Sequence, residues 1–170
     1  QIKKTIRKTY GYQPDSLWTT NPLYMWTTEE DSQGKYYWYV NDQLGAPRLL
    51  ADESGRIVWS ATREAFGRTV VDAQSGVTSN LRLPGQYEDE ETGLHYNWRR
   101  TYDPDTGRYL TPDPPRQGEN HYAYAGADPL GMVDPWGLCH APPGPNPINW
   151  TYSVPYNTNF NFSEYQNGIY

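Results

Sequence analysis

Aromatic and aliphatic residues recur along this chain in short runs, each broken by glycine or proline before a second turn of helix could form. Near the start, Tyr10 and Tyr12, then Leu23 and Met25 beside the Thr pairs, alternate with polar neighbours as half-buried strands do; Pro14, Pro22 and Gly34 mark the turns. From Gly34 to Arg108 a loose unit repeats. Gly34 opens KYYWY and leads to Gly45 and Arg48; Gly55 opens RIVW and leads to Gly67 and Arg68; Gly93 opens LHYNW and leads to Gly107 and Arg108. Starts separated by 21 and then 38 residues imply hairpin units of roughly 20 residues, with one unit degraded between the second and third. A lone hairpin cannot bury its apolar face, so such units are expected to stack.

Composition sharpens this to an all-β, turn-dense class. Fifteen Gly and fifteen Pro leave no room for long helices, and no run of 18 apolar residues offers a membrane span. Sixteen Tyr and seven Trp stand against three Phe, a balance that suits sheets with one wet face. The net charge of −6 argues against nucleic-acid binding by this portion. The basic run IKKTIRK at residues 2–8 reads as a solvated strand edge rather than an anion site. A single cysteine, Cys139, excludes an intrachain disulfide and a paired-cysteine zinc site, and no motif calls for a cofactor. Opening on Gln1 with no signal pattern, the chain is expected to be a piece of a longer one.

Several motifs stand in a fixed order: NDQLGAPR at 41–48, LPGQY at 83–87, YDPDTGRY at 102–109 and DPWGL at 134–138. Together they resemble the Rhs/YD-repeat family of polymorphic toxins, specifically its Rhs repeat-associated core, over residues 36–138. Residues 1–35 look like degenerate repeats of the same kind, and residues 139–170 like the start of a variable C-terminal toxin segment. The resemblance implies stacked YD-type hairpins that form the end plug of a hollow β-shell, followed by an extended irregular tail. It also implies that the shell encloses a C-terminal effector and cuts the chain after the Leu of its Asp-Pro-x-Gly-Leu motif. Partners implied in the same way are the rest of the shell, the chain's own toxin segment, secretion spike proteins of a type VI system, a chaperone and an immunity protein, with no membrane contact by this portion. Synthesis in a bacterial cytoplasm, followed by secretion or delivery into a target cell, belongs to the same expectation.

By that resemblance the catalytic acids fall on Asp113 and Asp134 and the scissile bond on Leu138–Cys139. Paired carboxylates suit amide hydrolysis, since two acids in hydrogen-bond reach share one proton, so that one activates water while the other protonates the leaving amine. Pro114, Pro115 and Pro135 stiffen the presentation of the acids, Gly137 permits a sharp bend, and Leu138 is expected to anchor the bond in an apolar pocket. Asp-Pro is also an ordinary turn dipeptide and occurs at Asp103, Asp113, Asp128 and Asp134, so residue type alone favours turns. Asp128 is the rival to Asp113, in a place where the family resemblance leads one to expect Asn.

Other chemistry competes. Cys139 followed by His140 offers a second route, attack of the thiol on the Leu138 carbonyl with the imidazole as base. Arg68, Arg99, Arg100 and Arg108 read as residues that bond turn carbonyls or pair across strands rather than as holders of a carboxylate. His95 and His121 are too isolated to suggest a metal, and the Tyr and Trp stripes read as packing rather than a sugar-binding face. The tail turns abruptly to Pro, Asn, Tyr and Phe and carries no catalytic constellation. A purely structural or adhesive YD-repeat shell that binds carbohydrate or a protein is the alternative function.

Overall fold

The structure, a computed structural model, describes residues 7–16, 19–114, 119–138, 140 and 142–143. Among them the architecture is all-β. Strands β1 (Lys8–Tyr12), β2 (Pro22–Thr27), β3 (Lys35–Asn41), β4 (Pro47–Ala51), β5 (Ile57–Arg63) and β6 (Thr69–Val71) form one antiparallel meander in sequence order. A second, four-stranded antiparallel sheet runs β10 (Arg108–Tyr109), β9 (Arg100–Asp103), β8 (His95–Asn97), β7 (Tyr87–Glu88). One turn of 3-10 helix, Ala125–Ala127, is the sole helical element among the described residues.

Three of the repeating turns share a chemical cause. Asp42 accepts the backbone N–H groups of Leu44 and Ala46 at 2.9 and 3.1 Å; Asp52 does the same for Ser54 and Arg56 at 2.9 and 3.0 Å. Asp103 accepts the N–H of Asp105 at 2.9 Å. Three residues after the first two of these acids, Gly45 and Gly55 take φ of +79° and +80°, a region open to glycine and costly for other L residues. At these turns aspartate captures its own backbone and glycine follows, whereas the Glu64–Arg68 turn closes by the backbone bonds of Glu64 with Arg68 and Gly67.

Alternation along the strands then sorts the side chains. Met25, Tyr37, Tyr39, Leu50, Trp59 and Ala61 bury one face of the large sheet, while Tyr24, Tyr36 and Trp38 stay exposed on the other. The stretch between β6 and β7, expected from the spacing to be a worn hairpin, is not one. It crosses the buried face as irregular chain, adding Val77 and Leu81 to that core and setting Ser79 Oγ 2.9 Å from Tyr39 Oη. Without this cover the buried row of the large sheet would face water, so packing overrides the repeat. A second core of Leu44, Leu83, Tyr102, Tyr109, Tyr124, Ala125 and Val133 joins the small sheet to the segment that follows it.

His95, 1% exposed, is a satisfied core histidine, with Nδ1 2.7 Å from Gln86 Oε1. Burial first, then the positive charges of Arg82 and Arg63, push its pKa down to about 3, with Asp103 opposing. The folded protein therefore keeps the ring neutral, whereas the unfolded chain protonates it below about pH 6.5. The corresponding stability is full above that pH and is lost as the pH falls towards 3. Urea midpoints measured from pH 7 down to about 4 should fall, and His95→Gln should flatten the His95 part of that slope.

Candidate active site

The site is built where the β8–β9 hairpin meets the Asp134–Leu138 segment. Asn97 and Arg100 lie directly opposite each other across a two-residue turn, and Trp98 in that turn takes a left-handed φ of +54°. A bulky residue holds such a conformation only when packing fixes it; here the Trp98 and Trp136 rings lie 6.2 Å apart. Alternation points His95, Asn97, Arg100 and Tyr102 to the buried side, so a neutral amide and a cation are delivered to the same face.

Arg100 is the hub. Its Nη2 donates to Asp134 Oδ2 at 2.8 Å, its Nε to the Gly137 carbonyl at 2.6 Å and its Nη1 to the His121 carbonyl at 3.4 Å; the same Nη1 lies 3.9 Å from Asp113 Oδ1. The guanidinium also sits over the Tyr109 ring, 3.5 Å from its centroid. Buried Asp113 and Asp134, 21 positions apart in sequence, thus meet on one buried cation. Asp113 is carried there by its N–H to the His121 carbonyl at 2.7 Å, a bond that closes the loop after β10.

Asp134 receives more than Arg100. Tyr109 Oη donates to Asp134 Oδ2 at 2.8 Å, the Leu138 N–H donates to Oδ1 at 3.0 Å, and Asn97 Nδ2 donates to the Asp134 backbone carbonyl at 2.9 Å. Asn97 Nδ2 also donates to Tyr109 Oη at 2.7 Å, which directs the phenol's own proton at Asp134. Burial and the adjoining Asp134 charge push the Tyr109 pKa well above its ordinary value, so the phenol remains a donor.

The bend at Gly137 follows from the lack of a side chain. Its φ is +64°, and a Cβ there would stand 2.3 Å from the Asn97 carbonyl oxygen. Gly85 of the LPGQY motif is constrained in the same way by the same segment, since its Cβ would meet the Pro135 carbonyl oxygen at 2.2 Å. Two glycines therefore let the chain carrying the Leu138 bond lie flush against the hairpin.

The structure brings Asp113, Asp134, Pro135, Gly137 and Leu138 to this place; Leu138 itself is half-buried. Asp128 is not among them. It is exposed, and its carboxylate takes the N–H of Gly131 at 3.0 Å, an ordinary turn bond. Cys139 lies outside the described residues, and His140 is exposed with its ring near Gly126. Arg68 pairs with Glu64 at 3.4 Å on the surface, as its turn position suggests. Arg100 departs from that reading, because it bonds turn carbonyls and a catalytic candidate together. Arg100, Tyr109 and Asn97 are thus site residues that the motifs did not single out. The available signal was alternation: an Arg on the buried side of a strand must find a carboxylate.

Comparison with known proteins fixes the family. A sequence model of the Teneurin YD-shell family matches residues 25–126. Double-stranded DNA deaminase toxin A of Burkholderia cenocepacia is 37% identical over 155 residues, covering 81% of this chain and 11% of that protein. Toxin protein Tse5 of Pseudomonas aeruginosa is 38% identical over 108 residues, covering 62% of this chain and 8% of that protein. Among solved structures, TcdB2-TccC3 without its hypervariable C-terminal region superposes with a TM-score of 0.55 at 28% identity, over 61% of this chain and 5% of that one. This chain accordingly spans about a tenth or less of the length of these relatives. Motif order, meandering antiparallel sheets and these matches agree, and the chain belongs to the YD-shell family, the Rhs/YD-repeat group of polymorphic toxins.

Proposed function

We propose that this chain is the self-cleaving end of a toxin shell, and that it cuts its own backbone between Leu138 and Cys139 to free the segment that follows. One observation carries the reading: Arg100 holds Asp134 and the Gly137 carbonyl and lies beside Asp113, so two acids and the peptide next to the bond share one buried cation. The reaction is amide hydrolysis by water with carboxylate assistance, and a single turnover suffices because the substrate is part of the fold. Residues 36–138 act as the core, residues 1–35 continue the shell, and residues 139–170 begin the released effector. The names of the relatives, a DNA deaminase toxin and Tse5 among them, support an effector of the toxin class. Its partners are the remainder of the shell and that effector, and the protein is made in the cytoplasm before export.

Mass spectrometry of the purified full-length protein tests this reading. The expected result is a core fragment ending at Leu138 and a second fragment beginning at Cys139. Cys139→Ala should cut as well as the parent, because the acids rather than the thiol do the work; an uncut Cys139→Ala protein would transfer the chemistry to the thiol. A parent chain intact across residue 138 would leave a structural shell without chemistry.

A further inference from the structure

We infer that the cleft between the β1–β2 hairpin and the outward face of the small sheet is a docking groove for this chain's own proline-rich segment, residues 144–150 (GPNPINW), which lie outside the described residues. Strand alternation builds the groove. His95 and Asn97 point into the core, so Tyr96 and Trp98 face the other way, and Tyr87 of β7 stands directly opposite Tyr96. Across the cleft, Tyr10 and Tyr12 share one side of β1, and the Tyr10 ring meets the Tyr87 ring edge-on at 6.5 Å. Aromatic rings from β1, β7 and the β8–β9 hairpin thus line one trough.

Three properties of the trough select its occupant. Its volume of about 230 Å³ falls below the roughly 300–1,000 Å³ of pockets that enclose a whole small molecule, so it suits the side chains of a peptide laid along it. Among the described residues Arg82 is the one charged side chain in the lining, and Glu88 pairs with it, so an uncharged segment fits. Gln86 Nε2 and Arg82 Nε, on buried side chains of the same lining, have no acceptor among the described residues. A proline keeps its carbonyl and lacks an N–H, so a proline-rich segment brings acceptors without adding donors. Aromatic grooves take such segments in the extended polyproline conformation, which is stiff before it binds and costs little to order.

Residues 144–150 have this chemistry and lie within reach. They carry no charged side chain, hold Pro145 and Pro147, and end on Trp150. Two walls of the groove touch the segment that leads to them: the Trp98 ring lies 6.2 Å from that of Trp136, and a Cβ on Gly85 would meet the Pro135 carbonyl oxygen at 2.2 Å. From Trp136 to Gly144 an extended chain spans up to about 28 Å. Pro143, the last described residue, is half-buried, so the chain is still against the protein where residues 144–150 begin. The inference does not depend on the cut, since these residues can seat in the groove with the 138–139 bond whole or broken.

Photo-crosslinking in the full-length protein is the test. Tyr96→p-benzoylphenylalanine places the probe on the groove at a side chain that is 55% exposed, so the core is left as it is. Irradiation followed by peptide mapping should join position 96 to residues 144–150. Pro145→Ala combined with Pro147→Ala, both outside the core, should lower that yield by at least about 5-fold, as the loss of an anchoring contact does. The same probe at Trp38, exposed on the large sheet, should give no product with residues 144–150; a product there would mark unspecific contact and overturn the assignment. Cross-links from position 96 to residues 151–170 alone, to a second copy of the chain, or to none of the tail would overturn it too, as would a yield that the two proline changes leave unaltered. Intact mass of the same samples reports the cut separately, so a failure of docking and a failure of cleavage are told apart.

Discussion

Replacing Arg100 by Met should cost about 3–5 kcal/mol of stability and abolish the cut, the largest combined effect expected of any single side chain here. The guanidinium is 5% exposed and is the counter-charge for buried Asp134. Met fills much of the same volume but supplies no charge and no donor. Asp134 would keep Tyr109 and the Leu138 N–H, yet remain an uncompensated buried charge, and the Gly137 carbonyl would lose its Nε partner. Urea unfolding measures the stability loss, and a gel of the full-length protein reads the cut. Arg100→Lys separates charge from geometry. An ammonium restores a positive charge, but one nitrogen cannot serve a carboxylate, a carbonyl and a second acid in the fork that Arg100 spans, so stability should recover more than cleavage.

Gly137→Ala should be the most damaging change that alters no charge. The added Cβ would stand 2.3 Å from the Asn97 carbonyl oxygen, a backbone atom with no rotamer through which to yield. An L residue at φ +64° adds roughly 1–2 kcal/mol of strain. Relief requires the segment to lift from the hairpin, which pulls the Leu138 N–H from Asp134 and the Gly137 carbonyl from Arg100. A displacement of about 1 Å is worth on the order of 10²-fold in rate, and a loss of that size in cleavage is expected. Gly55→Ala is the matched control. Its φ is +80°, but no atom lies within 4 Å of the added carbon, so it should share the strain and leave cleavage unchanged.

These two residues also mark what the sequence could disclose. The turns were legible because their chemistry is local: Asp42 and Asp52 capture N–H groups two and four residues ahead, and Gly45 and Gly55 follow at fixed offsets. Gly137 was legible for a related reason, since a glycine at a bend before the proposed cut needs no knowledge of the rest of the chain. Its antagonist, the Asn97 carbonyl, was not, because 40 residues separate the two. Arg100 looked like the other arginines that punctuate the repeats; only its place on the inward side of β9, opposite Asn97, distinguishes it from surface Arg68. Asp128 shows the converse failure. By residue type it rivalled Asp113, and only exposure and its bond to Gly131 set it apart.

The irregular crossing at residues 72–86 was misread for a physical reason as well. Spacing alone cannot tell a worn repeat from a segment recruited to cover a sheet, and Val77 and Leu81 do the latter. The buried network of Arg100, Tyr109 and Asn97 gives the site its geometry, and it is assembled from strands whose own sequence signals concern only the fold.

Synthesis of the full-length protein in water enriched in heavy oxygen, followed by intact-mass measurement, tests the central claim most directly. The account predicts two fragments, with the new carboxyl group of Leu138 carrying one heavy oxygen, and an Asp113→Asn protein that stays whole. A parent chain recovered at full mass, with residues 138 and 139 still joined, would contradict it.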